Sequence, residues 1–588
     1  MMKTKTHQTI QKLSSQYIQK RAFSTGNAMN RLTSHGTIQL PTIVNEPMKT
    51  YGKGSPERSA VLSECEKYLN VPKDSILQIP TIINGKRYYQ NDQDLTFLRE
   101  MPSLRSQYLF RAHGANKDMI REAIEGSLKA KKEWEDLPLE YKCSVFLKAA
   151  DLLSSPDWRY KINAATMMGQ GKTMYQAEID SSAELIDFLR FNAFYAAKLI
   201  GRQVDHHNPG TWNRVEYRAL EGFVAAISPF NFTAIGGNLA CAPAQMGNVV
   251  LWKPSDTAVL SNYVIYQVLE AAGLPPGVIQ FIPTKKASDF GETVLNDPNF
   301  TGLHFTGSTK TFQLLYNEIS SKLHTYKSIP RIVGETGGKN FHFMHPDCDV
   351  TTFVNQTLRG SFEYSGQKCS ATSRCYIPKS KFAEVKQALI EETKKLKVGQ
   401  PNDPKSFTSA LIDEKSFDKI VGFIERARNN PKSKIIVGGT YSKEVGYFID
   451  PTIIETTDPV SETMSQEIFG PVLTIYAYDD STQTFLDDVL RLIDTTSSYG
   501  LTGAIFARDR KVIEKCVEGL RHSAGNFYIN DKSTGAIVGQ QPFGGSRVSG
   551  TNDKAGSENM LLRWTSVRAI KETFVPLKHW GYPSVDLE

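Results

Sequence analysis

Between residues 220 and 345, short apolar runs alternate with helix-length amphipathic segments, and this alternation restricts the fold more than any other feature of the chain. "GFVAAIS" at 222–228 predicts a strand, "TAIGGNLACAPAQMG" a helix and "NVVLWKP" at 248–254 a strand. "DTAVLSNYVIYQVLEAAG" then predicts a helix with Asp256 or Thr257 as N-cap and Gly273 as its stop, with Pro275 and Pro276 preventing continuation. "GVIQFIP" at 277–283, a short helix over 289–297, "GLHFTGS" at 302–308 and a helix from about 309 complete the pattern. Alternation of this kind produces crossover units and a parallel sheet. The runs lack polar alternation, so the sheet is covered on both faces. The expected class is therefore α/β. Upstream, 115–200 carries long amphipathic helix patterns. Downstream, helices around 380–397 and 414–429 and strands near 434–438 and 472–477 repeat the alternating style.

At 588 residues and 40% hydrophobic, the chain can build two or three domains with substantial cores. No apolar stretch approaches the ~18–20 residues that cross a bilayer, so no membrane span is expected. The net charge of +7 lies mostly at the start. Lys3, Lys5, Lys12, Lys20, Arg21 and Arg31 precede the first acidic residue, Glu46. The rest is nearly neutral, which removes the argument for nucleic acid as a partner. Ile10, Leu13, Tyr17 and Ile18 give the basic leader an apolar face opposite its cationic one, the pattern of a mitochondrial presequence over 1–23. "RAFS" at 21–24 places cleavage after Phe23. Seven scattered cysteines, an odd number, are no disulfide framework. Without C-x-x-C or H-E-x-x-H, and with His206, His207, His342 and His345 reading as loop and strand residues, no metal site is expected.

In a sheet of this type ligands bind at the carboxyl ends of the strands. The loops there are "SPFNFT" (228–233), "WKPSD" (252–256) and "HFTGST" (304–309), each ending a strand and opening a helix. A lysine, serines and a glycine at helix N-termini suit a nucleotide's phosphates and ribose, although no G-x-G-x-x-G is present. "GETGGKNFHF" at 334–343 then supplies Glu335 among glycines, and "FEYSGQKCSA" at 362–371 supplies Cys369. A thiolate nucleophile needs a donor for the oxyanion it creates, and hydrolysis of the resulting thioester needs a base. Asn231 can be the donor and Glu335 the base.

With "EIFGP" (467–471) and "PFGGSRVSG" (542–550), these segments resemble the aldehyde dehydrogenases in order and spacing, over roughly 70–575. "SAELIDFLRFNA", "GSFEYSGQKCSATSR" and "STGAIVGQQPFGGSRVSGTNDKAG" are similar to the branch that oxidises glutamate semialdehyde. Phe312 stands where most of the family carries a second glycine after Gly307, a departure shared by that branch. The resemblance implies a Rossmann-like NAD-binding domain (70–201 and 221–333) and an α/β catalytic domain (334–530). It also implies a substrate anchor loop with return to the core (531–559) and a small β-hairpin oligomerisation element (202–220 with 560–588), behind an N-terminal extension over 24–69. NAD is the implied cofactor. The implied nucleophile is Cys369, with Asn231 and the Cys369 N–H on the oxyanion and Glu335 as base. Lys253 and Ser255 would meet the ribose region, Gly307 and Ser308 the pyrophosphate, and Glu467 and Phe469 the nicotinamide half. Gly535 and Ala536 would hold the substrate carboxylate through their N–H groups, with Ser370 and Lys368 adding donors. Phe230 and Phe543 would wall the aliphatic part and Glu184 would orient the substrate or order the site. The implied setting is the mitochondrial matrix and the implied assembly a homodimer or higher homo-oligomer. Two alternatives stay open: another short acidic semialdehyde as substrate, and an inactive structural protein of this fold. N-terminal sequencing of the mature protein should begin at Ser24; a start well away from it would remove the cleavage assignment.

Overall fold

The computed structural model describes residues 40–585, all within the unit Ile38–Glu588. The leader and the expected cut after Phe23 lie outside the described residues. Two seven-stranded sheets carry the architecture. The first runs Arg331–Glu335, Phe300–Thr306, Phe223–Ile227, Val249–Lys253, Ile279–Phe281, Thr81–Ile83 and Lys86–Tyr88, parallel over its first five strands and antiparallel at the last two. The second runs Ser433–Val437, Thr452–Thr456, Val472–Tyr478, Thr372–Pro378, Asn340–Met344, Thr502–Phe506 and Asn526–Ile529, with only the first pair antiparallel. Val249–Lys253, Phe300–Thr306, Asn340–Met344 and Thr502–Phe506 are buried along their whole length, as strands covered on both faces must be.

The helices fall where the apolar spacing puts them, including Thr233–Gln245, Thr309–Ser321, Lys379–Thr393 and Glu414–Arg428. Gly273 stops the helix Val259–Ala272 in the left-handed conformation, φ +97°. That helix starts later than expected, with Ala258 rather than Asp256 or Thr257 as N-cap. A turn closed by Ala258 N–H to Ser255 O, 2.9 Å, delays it, and the Thr257 hydroxyl pairs with that of Ser255. A three-stranded sheet of Leu77–Ile79, Leu104–His113 and Thr96–Met101 has no counterpart in the periodicity analysis, because Thr96–Met101 is half-buried at nearly every position and alternates poorly. Thr211–Arg218 and Ser566–Thr573 pair antiparallel as a separate ribbon. Among the described residues no helix is long and apolar enough to cross a membrane.

Strand register sets the position of the site. Ile227 pairs with Lys253, Phe305 with Ile227, and Thr306 with Glu335, so the loops after these strands leave from one edge of the first sheet. The next strand, Asn340–Met344, already belongs to the second sheet, where Asn340 pairs with Thr372. The short link Thr336–Lys339 therefore carries the chain from the carboxyl edge of one sheet to the amino edge of the other. Gly334, just before Glu335, lies directly under the ring of Phe312, which also stacks on Phe305 at 5.7 Å between centroids. This explains the phenylalanine at 312: its ring fills space that Gly334 leaves open. Gly334→Ala should destabilise by about 1–3 kcal/mol through overpacking, measured as a lower midpoint in urea. The double variant with Phe312→Ala should lose less than the sum of the two, since the clash disappears with the ring.

Candidate active site

Cys369 follows the helix Val350–Phe362 through a turn of unusual conformation. Tyr364, Ser365 and Gly366 are consecutive left-handed residues, with φ of 52°, 52° and 66°. Such strain persists only where surrounding contacts impose it. Here Thr408 Oγ1 accepts the Ser365 N–H at 2.7 Å, and a Cβ on Gly366 would collide with Gly470 O. The stretch Gln367–Ala371 is then clasped by Asn340. Its Nδ2 donates to Cys369 O (2.7 Å) and Ala371 O (2.8 Å), while its Oδ1 accepts from Thr502 N (3.0 Å). Burial pushes the Cys369 thiol up, and the Glu335 and Glu467 carboxylates add to it against the Ser370 N–H. Only the thiolate is a nucleophile, so burial works against the reactive form of this sulfur.

Glu335 ends its strand beside the segment Gly544–Thr551. Thr551 N donates to Gly334 O and Thr336 N to Ser549 O, both at 2.9 Å, and Gly545 N–H reaches the Glu335 carboxyl. Glu335 Oε2 is buried without a hydrogen-bond partner, an arrangement natural proteins keep for a purpose. Burial holds its carboxyl well above the usual range, with Asp553 adding to this and the Lys554 ammonium opposing it. A Cβ on Gly337 would strike the Glu467 carboxylate, and one on Gly338 would strike Cys369 O. Glycine is needed at both positions because Glu467 and the nucleophile loop close on the link from opposite sides. Gly338 N–H also donates to Glu467 Oε1 at 2.8 Å.

Asn231 is buried, and its Nδ2 donates to Gln367 O at 3.1 Å, which joins the 228–233 loop to the cysteine loop. A buried ion pair holds it in place. Asp180 accepts the first N–H groups of the helix Thr233–Gln245, from Thr233 and Ala234, both at 2.9 Å. It also accepts from Lys172 Nζ at 2.7 Å, and both side chains are 1% exposed. The Lys172 ammonium lies over the rings of Phe232 (4.1 Å) and Tyr364 (4.7 Å), touching both loops at once. Asp180 and Glu184 lie in a π-helical segment, Glu178–Glu184, which interrupts the helix expected from the periodicity. Widened turns of this type recur at functional sites. Burial, then the Asp180 carboxylate, pushes Glu184 up to about 8.

The remaining candidate residues fall into two groups. Lys253, Ser255, Gly307 and Ser308 lie along the carboxyl edge of the first sheet. Lys253 is buried with a long hydrogen bond to Pro254 O (3.3 Å), Gly307 N–H donates to Glu335 O (3.1 Å), and Ser308 caps the helix Thr309–Ser321. An ammonium with protons to spare, beside a helix N-terminus, fits the hydroxyls and phosphates of a dinucleotide. Phe469, left-handed at φ 63°, meets Phe230 edge to face at 5.8 Å. On the other side, Ser370 Oγ pairs with Thr534 Oγ1 (2.8 Å), and Ser533 Oγ donates to Ser370 O (3.1 Å), pinning the start of the anchor loop to the cysteine loop. Gly535 is exposed and left-handed (φ +96°), Ala536 is half-buried, and Phe543 pairs through its backbone with Ala555. Lys368 has one of its three ammonium protons committed. Its Nζ is held by Glu363 Oε2 at 2.8 Å in a buried pair, because burial makes an unpaired ammonium costly.

A sequence model of the aldehyde dehydrogenase family matches residues 88–570, and the chain belongs to that family. Among its relatives, the protein called mitochondrial delta-1-pyrroline-5-carboxylate dehydrogenase in Dictyostelium discoideum is 51% identical over 560 residues, covering 95% of this chain and 98% of its own. The protein of the same name in Homo sapiens is 50% identical over 541 residues, covering 92% and 94%. Among solved structures, the Delta-pyrroline-5-carboxylate dehydrogenase from Mycobacterium tuberculosis bound with NAD superposes with a TM-score of 0.88 at 43% identity, over 94% of this chain and 100% of the other. The expected α/β fold of this family is the fold observed.

Lys172, Asp180, Asn340, Ser533 and Thr534 support the site and were not among the residues singled out from the sequence. Asn340 ends the "GETGGKN" motif, so its position was visible, but nothing local marks Lys172 and Asp180 as a pair. Asp180→Ala should lower stability by about 3–5 kcal/mol, because the Lys172 ammonium is left buried alone. Adding Lys172→Met should recover part of that loss in the same urea titration.

Proposed function

We infer that this protein is an NAD-dependent dehydrogenase that oxidises L-glutamate gamma-semialdehyde, in equilibrium with 1-pyrroline-5-carboxylate, to L-glutamate, the second step of proline degradation. The observation that carries this reading is the convergence of Cys369, Asn231 and the unpartnered Glu335 Oε2 where the two sheets meet. The names of the relatives at about half identity over more than nine-tenths of the chain support the substrate. The NAD bound to a structural neighbour supports the cofactor.

Cys369 Sγ reacts as the thiolate, its proton passing to solvent, and bonds to the aldehyde carbon. The oxyanion that forms accepts from the Cys369 N–H and from the Asn231 amide, whose second hydrogen is not used on Gln367 O. Loss of hydride from that carbon, which NAD accepts when bound, oxidises the aldehyde by two electrons and leaves a thioester on Cys369. Glu335 then takes a proton from water, the hydroxide adds to the acyl carbon, and the carbon–sulfur bond breaks to free glutamate. Lys253 and Ser255 would hold the ribose of NAD, Gly307 and Ser308 its pyrophosphate, and Glu467 and Phe469 its nicotinamide half. Gly535 and Ala536 offer N–H groups to the substrate carboxylate, with Ser370 beside them, while Phe230 and Phe543 wall the chain of the substrate. Lys368 acts from behind, through Glu363. Glu184, raised by burial, orders the substrate end of the site.

The NAD-binding domain is 70–201 with 221–333, the catalytic domain 334–530, the anchor loop and return 531–559, and the oligomerisation element 202–220 with 560–588. The change of sheet between Glu335 and Asn340 supports the first boundary. Exposed Phe574, Leu577, Trp580 and Tyr582 beyond the ribbon support self-association as a homodimer or higher oligomer. The basic leader supports the mitochondrial matrix.

With pyrroline-5-carboxylate and NAD, Cys369→Ala should reduce NADH formation by about 10^4-fold or more. Glu335→Gln should give one burst of NADH per site and then stall at the thioester. Glu335 works as a carboxylate, and its raised pKa keeps it protonated at low pH, so wild-type turnover should rise with pH and Glu335→Gln should lose that limb. Glutamate semialdehyde should be preferred over succinate semialdehyde by about 10- to 100-fold in kcat/KM, the worth of one charged hydrogen bond. Equal use of the two would point to a different acidic semialdehyde.

A further inference from the structure

The anchor loop is secured at both ends and packed at one place between them, where Val538 enters the core and Gly539 lies against Phe191. Ser533 and Thr534 tie its start to the cysteine loop, and Phe543 pairs with Ala555 at its end. Around Val538, Gly535, Ile537, Gln540 and Gln541 are exposed, so apolar packing fixes the loop at that place and not at the Gly535 and Ala536 N–H groups.

Asn45, from the N-terminal extension, supplies what the interior of the loop lacks. Its Nδ2 donates to Val538 O (2.8 Å) and to Asp187 Oδ2 (2.7 Å), and its Oδ1 accepts from Gln540 Nε2 (2.9 Å). Both amide hydrogens and the carbonyl oxygen are thus engaged, across three segments far apart in the chain. The neighbouring Glu46 N–H donates to Asp187 Oδ1 (2.7 Å), so the Asp187 carboxylate is held by two donors from the extension. Asp187 follows Glu184 on the same helical run. The extension is itself fixed. The Glu46 carboxylate takes Arg159 Nη1 (2.6 Å) and Arg190 Nη1 (2.7 Å), and Lys49 N–H and Tyr51 OH both donate to Glu178 at 2.8 Å. Residues 45–51 therefore form a strap across the π-helical segment that carries Glu184, and its leading end grips the loop.

We propose that Asn45 is a positioning residue for substrate specificity: it fastens the middle of the anchor loop to Asp187, which sets the Gly535 and Ala536 N–H groups for the amino-acid end of the substrate. The proposal rests on the anchor-loop reading given under Proposed function. It also gives the extension a role that requires maturation to end upstream of residue 45.

The test compares wild type, Asn45→Ala, Gln540→Ala and the double variant, each as the full mature chain. Glutamate semialdehyde is compared with butanal, which has no carboxylate or ammonium for the loop to hold. The expected result is a rise in KM for glutamate semialdehyde of about 5- to 20-fold, one or two hydrogen bonds' worth. Then kcat, KM for NAD and kcat/KM for butanal should stay within about twofold of wild type, since a single surface-loop support is removed. Because the bond Gln540 makes to Asn45 is already lost in Asn45→Ala, the double variant should be little worse than Asn45→Ala alone. Gln540 is exposed, so its variant keeps the test open if Asn45→Ala folds poorly. An unchanged KM for the semialdehyde in both folded single variants overturns the proposal, as does an equal loss on butanal. If wild type itself fails to prefer glutamate semialdehyde over butanal, the anchor-loop reading fails first; if it prefers it and the variants keep that preference, only the strap's role fails.

Discussion

The link Thr336–Lys339 is the constraint on which the site depends. It joins the carboxyl edge of one buried parallel sheet to the amino edge of another, so strand register on both sides determines the separation between Glu335 and Cys369. Its glycines are required by what closes around them. The Glu467 carboxylate occupies the place of a side chain at 337, and the Cys369 carbonyl the place of one at 338. Cys369, Glu335 and the carboxyl edge of the first sheet are thus brought together from separate parts of the sequence.

Around that link the protein repeatedly uses buried polar groups that touch two segments at once. Asn340 holds the cysteine loop to the Thr502–Phe506 strand, and Lys172 with Asp180 holds the Asn231 loop against Tyr364. A buried pair of this kind contributes little net stability, because desolvation offsets much of the attraction. Its contribution is to geometry: breaking it leaves an unpaired charge, so the loops have one arrangement that satisfies every group. The same logic holds the strained turn at Tyr364–Gly366, whose conformation is tolerated because Thr408 and Gly470 leave no alternative.

Electrostatics in the site follow from this enclosure. The thiol of Cys369 and the carboxyl of Glu335 are both pushed up by burial, and each carboxylate near the sulfur raises it further. The anchor loop is more exposed, and its order comes from Val538 in the core, from hydrogen bonds at its ends and from the N-terminal strap.

Most of the fold was legible in the sequence, because apolar runs and helix stops are local signals. The strands at 223–227, 249–253 and 300–306 and the Gly273 stop fall where periodicity put them. The three-stranded sheet from 77 to 113 was not legible, since half-buried strands carry no clear alternation. Asn231, Glu335 and Cys369 were likewise visible as motifs, because the residue types alone state the chemistry. What the sequence by itself determined was therefore the α/β class and the candidate reactive groups. Only the tertiary structure decided that Lys368 is tied to Glu363, that Phe312 fills the space over Gly334, and that Asn45 reaches the anchor loop. The Asn45 contact joins residues hundreds apart and Phe312 fills a volume left by a missing side chain; the Lys368–Glu363 pair is only five residues apart, but it forms across the strained turn at Tyr364–Gly366, which local spacing does not encode.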